Sequence, residues 1–363
     1  MIIDHDMINF LNVVNAAFNL DINIDYSKLN YDNIFEKAKY YHLSALVYSP
    51  IYKYGQQYID SQKFEDFHNY VFNELSLYYN TILQIYNILD KISEKGYKII
   101  DMALLQKHIN QFAEVSEYKY ISIAVEDYDF DNICKLLNDY KNKPLNDYYK
   151  GRKFYIDNFE IVLIKKSNVE KYIGRQLYTQ ELHNNLYTLS ATDYLTILIL
   201  DLIYKLATGL NSIKSLLYMR CIIERDSSKI DWEYFWNNAK RKGYEKLYLV
   251  VFKILKKYFL FNTDDFILNT DININNDIID EFMKLLCNID NENNKDIIKH
   301  KKDISLNSDD NLNKISKKSF FKNILKRFQK HDTVTSSNIQ AVKYDNINYD
   351  KRKELLLSLG LHI

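Results

Sequence analysis

Glycine and proline are almost missing from this chain. Its 363 residues hold seven glycines and two prolines. That scarcity disfavours loop-rich β architectures and Gly-rich phosphate loops, and it favours helices. Cysteine is scarce as well. Cys134, Cys221 and Cys287 are widely spaced and odd in number, so neither a disulfide framework nor a zinc knuckle can be read from them. A charge imbalance is also lacking: 48 acids meet 48 lysines and arginines, and no global field points to nucleic acid or an anionic membrane. The most apolar run, "YLTILILDLI" at 194–203, is too short to span a bilayer and contains Asp201. The opening "MIIDHDMINF" has no basic stretch before a long apolar run, so it does not read as a signal peptide. A cytoplasmic protein is the expectation.

What is present is apolar residues at 47% of the chain, with 32 tyrosines among them, enough for a packed core. Residues 4–55 carry two helical patterns. A long helix is expected over roughly 62–94, where Phe64, Phe67, Val71, Leu75, Tyr78, Ile82, Ile85, Leu89 and Ile92 recur in steps of three and four. Gly96 reads as its stop.

The period then changes. "YKIIDM" (97–102) suits a strand and "ALLQKHINQF" a helix. "KYISIAVE" (119–126) suits a buried strand and "DFDNICKLLNDYK" a helix. "KFYIDNFEIVLIKK" reads as two strands around Asp157 and Asn158. The middle of the chain is thus β-α-β-α-β-β over about 97–166. From 190 the helical period returns. "SATD" at 190–193 reads as a capping box, with Asp193 reaching back to Ser190. Residues 288–313 read as a polar linker. Residues 317–331 read as a basic amphipathic helix, with Phe320, Phe321, Ile324, Leu325 and Phe328 on one face. The expected fold class is α+β, a small mixed sheet embedded in a mostly helical chain. Its regions are helices at 1–94, an α/β core at 95–188, a helical bundle at 189–260 and an appendage at 261–363.

The order of "AKYYHLSALVY", Gly96-Tyr97-Lys98-Ile99-Ile100, the strand Lys119–Val125, Leu189-Ser190-Ala191-Thr192-Asp193 and Asp231-Trp232 resembles a bacterial family of nucleotidyltransferase-fold proteins within the polymerase-β-like superfamily. The resemblance covers about 30–260. It implies a nucleotidyltransferase-like sheet, in which two acids one residue apart on a strand share a face. Those acids hold Mg²⁺ ions that activate the attacking oxygen and stabilise the leaving pyrophosphate. Here the matching positions are Tyr120 and Ser122, neither a hard anionic ligand. The family's Lys-Gly at the phosphate turn reads Asp101-Met102. There an acid would repel a triphosphate and a side chain would block close backbone approach. The resemblance therefore implies a catalytically degenerate member acting as a binding or regulatory module. Its partner would be an unidentified protein or small molecule. The alternative is an active transferase that uses Mg²⁺ and an NTP through atypical acids.

For that alternative the metal candidates are Asp127 and Asp129, one residue apart past the strand, with Glu160 as a third ligand. The competing reading of Asp129 and Asp131 is capping of the helix that follows. Asp201 and Lys205, four apart on an apolar helix, read as an ion pair. The helix at 317–331 fits docking on the protein's own core, with a membrane surface as the competing partner.

Overall fold

The computed structural model describes residues 3–18, 22–102, 120–144, 151–156, 159–208, 213–267, 272–287 and 355. Four helices come first. Helix α1 (His5–Ala16) is capped by Asp4, whose carboxylate accepts the Met7 amide at 2.6 Å. Helices α2 (Tyr31–Tyr40) and α3 (Ser44–Pro50) follow, then the long α4 (Ser61–Ser93). Asp60 starts α4 by accepting the amides of Gln62 and Lys63, both at 3.1 Å. That satisfies two of the donors a helix start leaves open. Gly96 ends the segment with φ +81, a conformation glycine adopts without steric cost.

Seven strands form one mixed sheet. They are β1 (Ile99–Asp101), β2 (Tyr120–Val125), β3 (Lys141–Pro144), β4 (Arg152–Ile156), β5 (Phe159–Lys165), β6 (Thr179–His183) and β7 (Leu186–Leu189). Their spatial order is β3-β4-β5-β2-β1-β7-β6. Strand β2 lies at the centre, antiparallel to β1 and parallel to β5, as its apolar run predicts. Strands β3, β6 and β7 are absent from the sequence expectation. The β6–β7 turn is made by Asn184 (φ 40) and Asn185 (φ 64), a left-handed pair that suits a tight hairpin. The Asn185 carbonyl then accepts the Ile99 amide at 2.9 Å and seats β1 against the hairpin. The expected helix at 103–112 and the turn at 157–158 lie outside the described residues.

Alternation along the strands divides the core. Ile121, Ile123 and Val125 of β2 point with Ile99, Ile161 and Leu163 into a smaller cluster. The last turns of α4 (Ile85, Leu89, Ile92) and α5 (Phe130–Leu136) close it. Ile100, Ala124 and Ile164 point the other way, into the larger cluster. That cluster joins α1–α3 and the first half of α4 to α6 (Lys166–Ile173), α7 (Ala191–Thr208), α8 (Ile213–Asp226), α9 (Trp232–Arg241), α10 (Glu245–Tyr258) and α11 (Asn276–Cys287). Leu355 is buried in it too. The fold is α+β.

One buried cation ties the larger cluster together. Arg220 of α8 is 1% exposed. It donates to Glu224 at 2.8 Å and to the Phe259 carbonyl at 2.9 Å, and it stacks over Phe18. A guanidinium that is ion-paired, hydrogen-bonded and stacked on a ring can be buried where a lone one cannot.

Candidate functional site

Met102, Tyr120 and Ser122, singled out above by the resemblance, lie at one end of the β1–β2 pair. Ser122 pairs with Val162 on one side, and on the other its carbonyl accepts the Met102 amide at 3.0 Å. Paired residues share a face, so Met102, Ser122 and Val162 stand in a row. Met102 and Val162 are buried and Ser122 is half-buried. Tyr120 pairs with Glu160 through its backbone; its side chain lies outside the described residues.

Asp101 departs from the sequence expectation. It is the last residue of β1 and is paired with Ile123, so its side chain projects from the opposite face, beneath α4. It is fully buried. The Tyr86 phenol of α4 is raised by burial and then by the Asp101 charge, which agrees with that placement. On the Ser122 face, therefore, no carboxylate of Asp101 is present to repel a phosphate. Met102 occupies that place instead. The Asp101 carbonyl accepts the Tyr194 hydroxyl at 2.8 Å and joins β1 to α7.

The acidic candidates do not converge. Glu160 sits level with Tyr120 at the start of β2, whereas Asp127 and Asp129 follow its end. At about 3.3 Å per residue, seven positions separate them by roughly 20 Å. Glu160 is paired with Lys153 at 2.7 Å. Asp127 accepts the Ser167 amide at 3.1 Å and the Ser167 hydroxyl at 2.5 Å. It thereby caps α6, whose own cap residue, Lys165, makes no side-chain cap bond. Glu126 holds Lys166 at 3.0 Å beside it. Asp129 occupies the cap position of α5 but makes no capping bond. Burial, then the Glu126 charge, push its carboxyl above the ordinary value. Among the described residues, no three His, Cys, Asp or Glu side chains are placed to hold a metal ion.

The three cysteines are buried and form no disulfide. Burial pushes the Cys221 thiol up to about 12, far from a reactive thiolate. Asp201 is half-buried on α7; the side chain of Lys205 lies outside the described residues.

A cleft opens where β6 and β7 meet the start of α7 and the end of α8. Tyr178, Gln180, Ser190, Tyr194, Arg225 and Lys229 line it, together with Asp226. Asp226 is 5% exposed and accepts from Arg225 Nε at 2.9 Å and Lys229 Nζ at 3.0 Å. Burial raises its pKa, but the hydrogen bonds from Arg225 and Lys229 outweigh burial and hold the carboxyl below its ordinary value. The cleft therefore presents two cations around one buried anion, beside hydroxyl and amide groups. Such walls suit a small polar ligand with anionic oxygens. The sequence holds a clue to this triad in the spacing of Arg225 and Asp226, at the end of α8, and Lys229, three residues on in the short 3-10 turn that follows.

A second ion pair props the cleft. The Asp193 carboxylate accepts from Arg175 Nε at 2.9 Å and from the Tyr178 amide at 3.2 Å. The Arg175 guanidinium stacks on Tyr234 at 3.9 Å and on Tyr178 at 4.7 Å. Only half of the expected capping box forms. The Ser190 hydroxyl accepts the Asp193 amide at 3.1 Å, but the Ser190 amide donates to the Tyr178 carbonyl at 2.8 Å and not to Asp193. Arg175 outcompetes that amide because a charged donor bonds a buried carboxylate more strongly. Asp231 caps α9 through the Tyr234 amide at 2.9 Å, and Trp232 stacks on Phe266. The Asp231-Trp232 element is structural here.

No protein-family model, curated protein or solved structure gives a significant match to this chain. Among the described residues, no helix is long and apolar enough to cross a membrane. The polar stretch 288–313 and the basic segment 317–331 lie outside the described residues.

Proposed function

We propose that the chain is a nucleotidyltransferase-like protein that has lost metal-dependent transfer and works as a binding or regulatory module. The pairing of Met102 with Ser122 carries this reading. Two-metal transfer needs anionic oxygens on that face, and a thioether and a neutral hydroxyl supply none. The acidic candidates are committed elsewhere, Glu160 to Lys153 and Asp127 to Ser167. The cleft between β6, β7 and the end of α8, with Arg225 and Lys229, supplies the recognition surface for a small anionic ligand or a partner's acidic group. Three buried cysteines outside any disulfide fit a reducing compartment, so the cytoplasm is its proposed place.

Calorimetry with ATP, GTP, CTP and UTP, each with and without Mg²⁺ or Mn²⁺, tests the reading. The expected result is no metal-dependent binding. Micromolar binding that requires Mg²⁺ overturns it.

A further inference from the structure

Helix α4 serves two cores, and among the described residues nothing buries its middle. Its first half buries Phe67 and Val71 in the larger cluster and its last turns bury Ile85 and Leu89 in the smaller one. Between them Phe72, Tyr79 and Leu83 are 52%, 56% and 63% exposed. They follow one another in steps of seven and four, with half-buried Leu75 and Ile82 between them, so they form one stripe. A contiguous apolar stripe of this kind on a helix marks a docking surface.

The charges select the occupant. From Lys63 to Lys91, α4 carries no other lysine or arginine. Glu65 and Asp90 lie on the stripe's own face at its two ends, seven residues before Phe72 and seven after Leu83. A second copy of α4 would set acid on acid, whether it packed parallel or antiparallel. The two acids lie about 37 Å apart along α4, so a basic apolar helix of 15 residues, about 22 Å long, would set its lysines toward one acidic end or the other.

We propose that this stripe is the docking site for residues 317–331 of the same chain. That segment offers Phe320, Phe321, Ile324, Leu325 and Phe328 as an apolar face, with six lysines and arginines and no acid. Its reach suffices. The stretch 288–354 leaves the core at Cys287, whose carbonyl accepts the Tyr41 hydroxyl at 2.7 Å, and returns at buried Leu355. Tyr41 joins α2 to α3, and α3 packs on α4. The thirty residues from Cys287 to Lys317 span up to about 100 Å when extended, far more than the molecule demands. The docked segment would bury the α4 stripe, and a ligand or partner that competes for either surface would release it.

Zero-length carbodiimide cross-linking of the full chain, read by peptide mapping of the monomer band, tests the proposal. The expected products join Glu65 or Asp90 to lysines within 317–330. Hydrogen exchange should show residues 72–83 protected in the parent and exposed in Phe321→Asp with Phe328→Asp. Leu83→Asp, at a surface position, should abolish the same cross-links while the protein stays folded. Cross-links confined to a dimer band would assign the stripe to a second copy and overturn the proposal. So would binding to phosphatidylglycerol vesicles with exchange in α4 the same in parent and variant, which would assign the basic segment to a membrane.

Discussion

Arg175 lies between two tyrosine rings and gives its Nε to an Asp193 carboxylate that has no exposed surface. This contact fixes the loop after α6 to the first turn of α7 and so holds one wall of the cleft. Removing one partner of a buried pair leaves the other charge uncompensated, at about 3–5 kcal/mol. Arg175→Met should therefore cost about that much in urea unfolding, and Arg175→Met with Asp193→Leu much less. A double variant that loses as much as Arg175→Met, or more, would show that the stranded Asp193 charge is not the source of the cost.

The Asp127–Ser167 contact should behave as a helix cap. Asp127→Ala should cost about 1 kcal/mol, and Ser167→Ala after it only a few tenths more, because the shared interaction is already gone. Thermal unfolding of the two singles and the double reads this directly. If Mg²⁺ raises the melting temperature of the parent and not of Asp127→Ala, Asp127 is a metal ligand.

Asp226 should make the protein acid-sensitive. Its carboxyl is held below the ordinary value in the folded state. A depressed carboxylate contributes stability above its unfolded pKa, about 3.9, and that contribution is lost as pH falls through the lower folded value. Asp226→Asn should be less stable at neutral pH and show a flatter decline below about pH 4. Urea midpoints from pH 2.5 to 6 give the comparison, and parallel curves would remove Asp226 from the account.

The two faces of the β1–β2 pair set opposite tolerances. Ser122→Asp places an acid at a half-buried position and should cost about 1 kcal/mol or less, in the range of ordinary surface changes. Asp101→Lys reverses a fully buried charge beneath α4 and should cost several kcal/mol. If Tyr120→Asp with Ser122→Asp gains Mg²⁺-dependent NTP binding that the parent lacks, lost ligands are the reason the parent is silent. If Asp101→Lys is neutral, the face assignment of Asp101 is wrong.

Much of the framework is legible in the residues themselves. The apolar steps from Phe64 to Ile92 specify a helix, and Asp60 and Gly96 bound it. Alternation in Ile121, Ile123 and Val125 specifies a central strand. These are local signals, written in a period that the backbone geometry imposes. Strands β6 and β7 are harder to read because they are short and polar. Their signal is the Asn184-Asn185 turn, which becomes informative only with two flanking strands.

The chain by itself determines that positions 102, 120 and 122 hold a thioether, a phenol and a hydroxyl and no acid, because that follows from residue identity. Tertiary structure alone decides where each acid acts. Strand register turns Asp101 away from Ser122, sets Glu160 roughly 20 Å from Asp127, and brings Lys153 to Glu160 and Ser167 to Asp127. A one-residue change of register would exchange the two faces of β1 and with them the side on which Asp101 lies. Carboxylates distant in sequence find partners through pairings between strands and packing between helices, and neither is encoded at any single position.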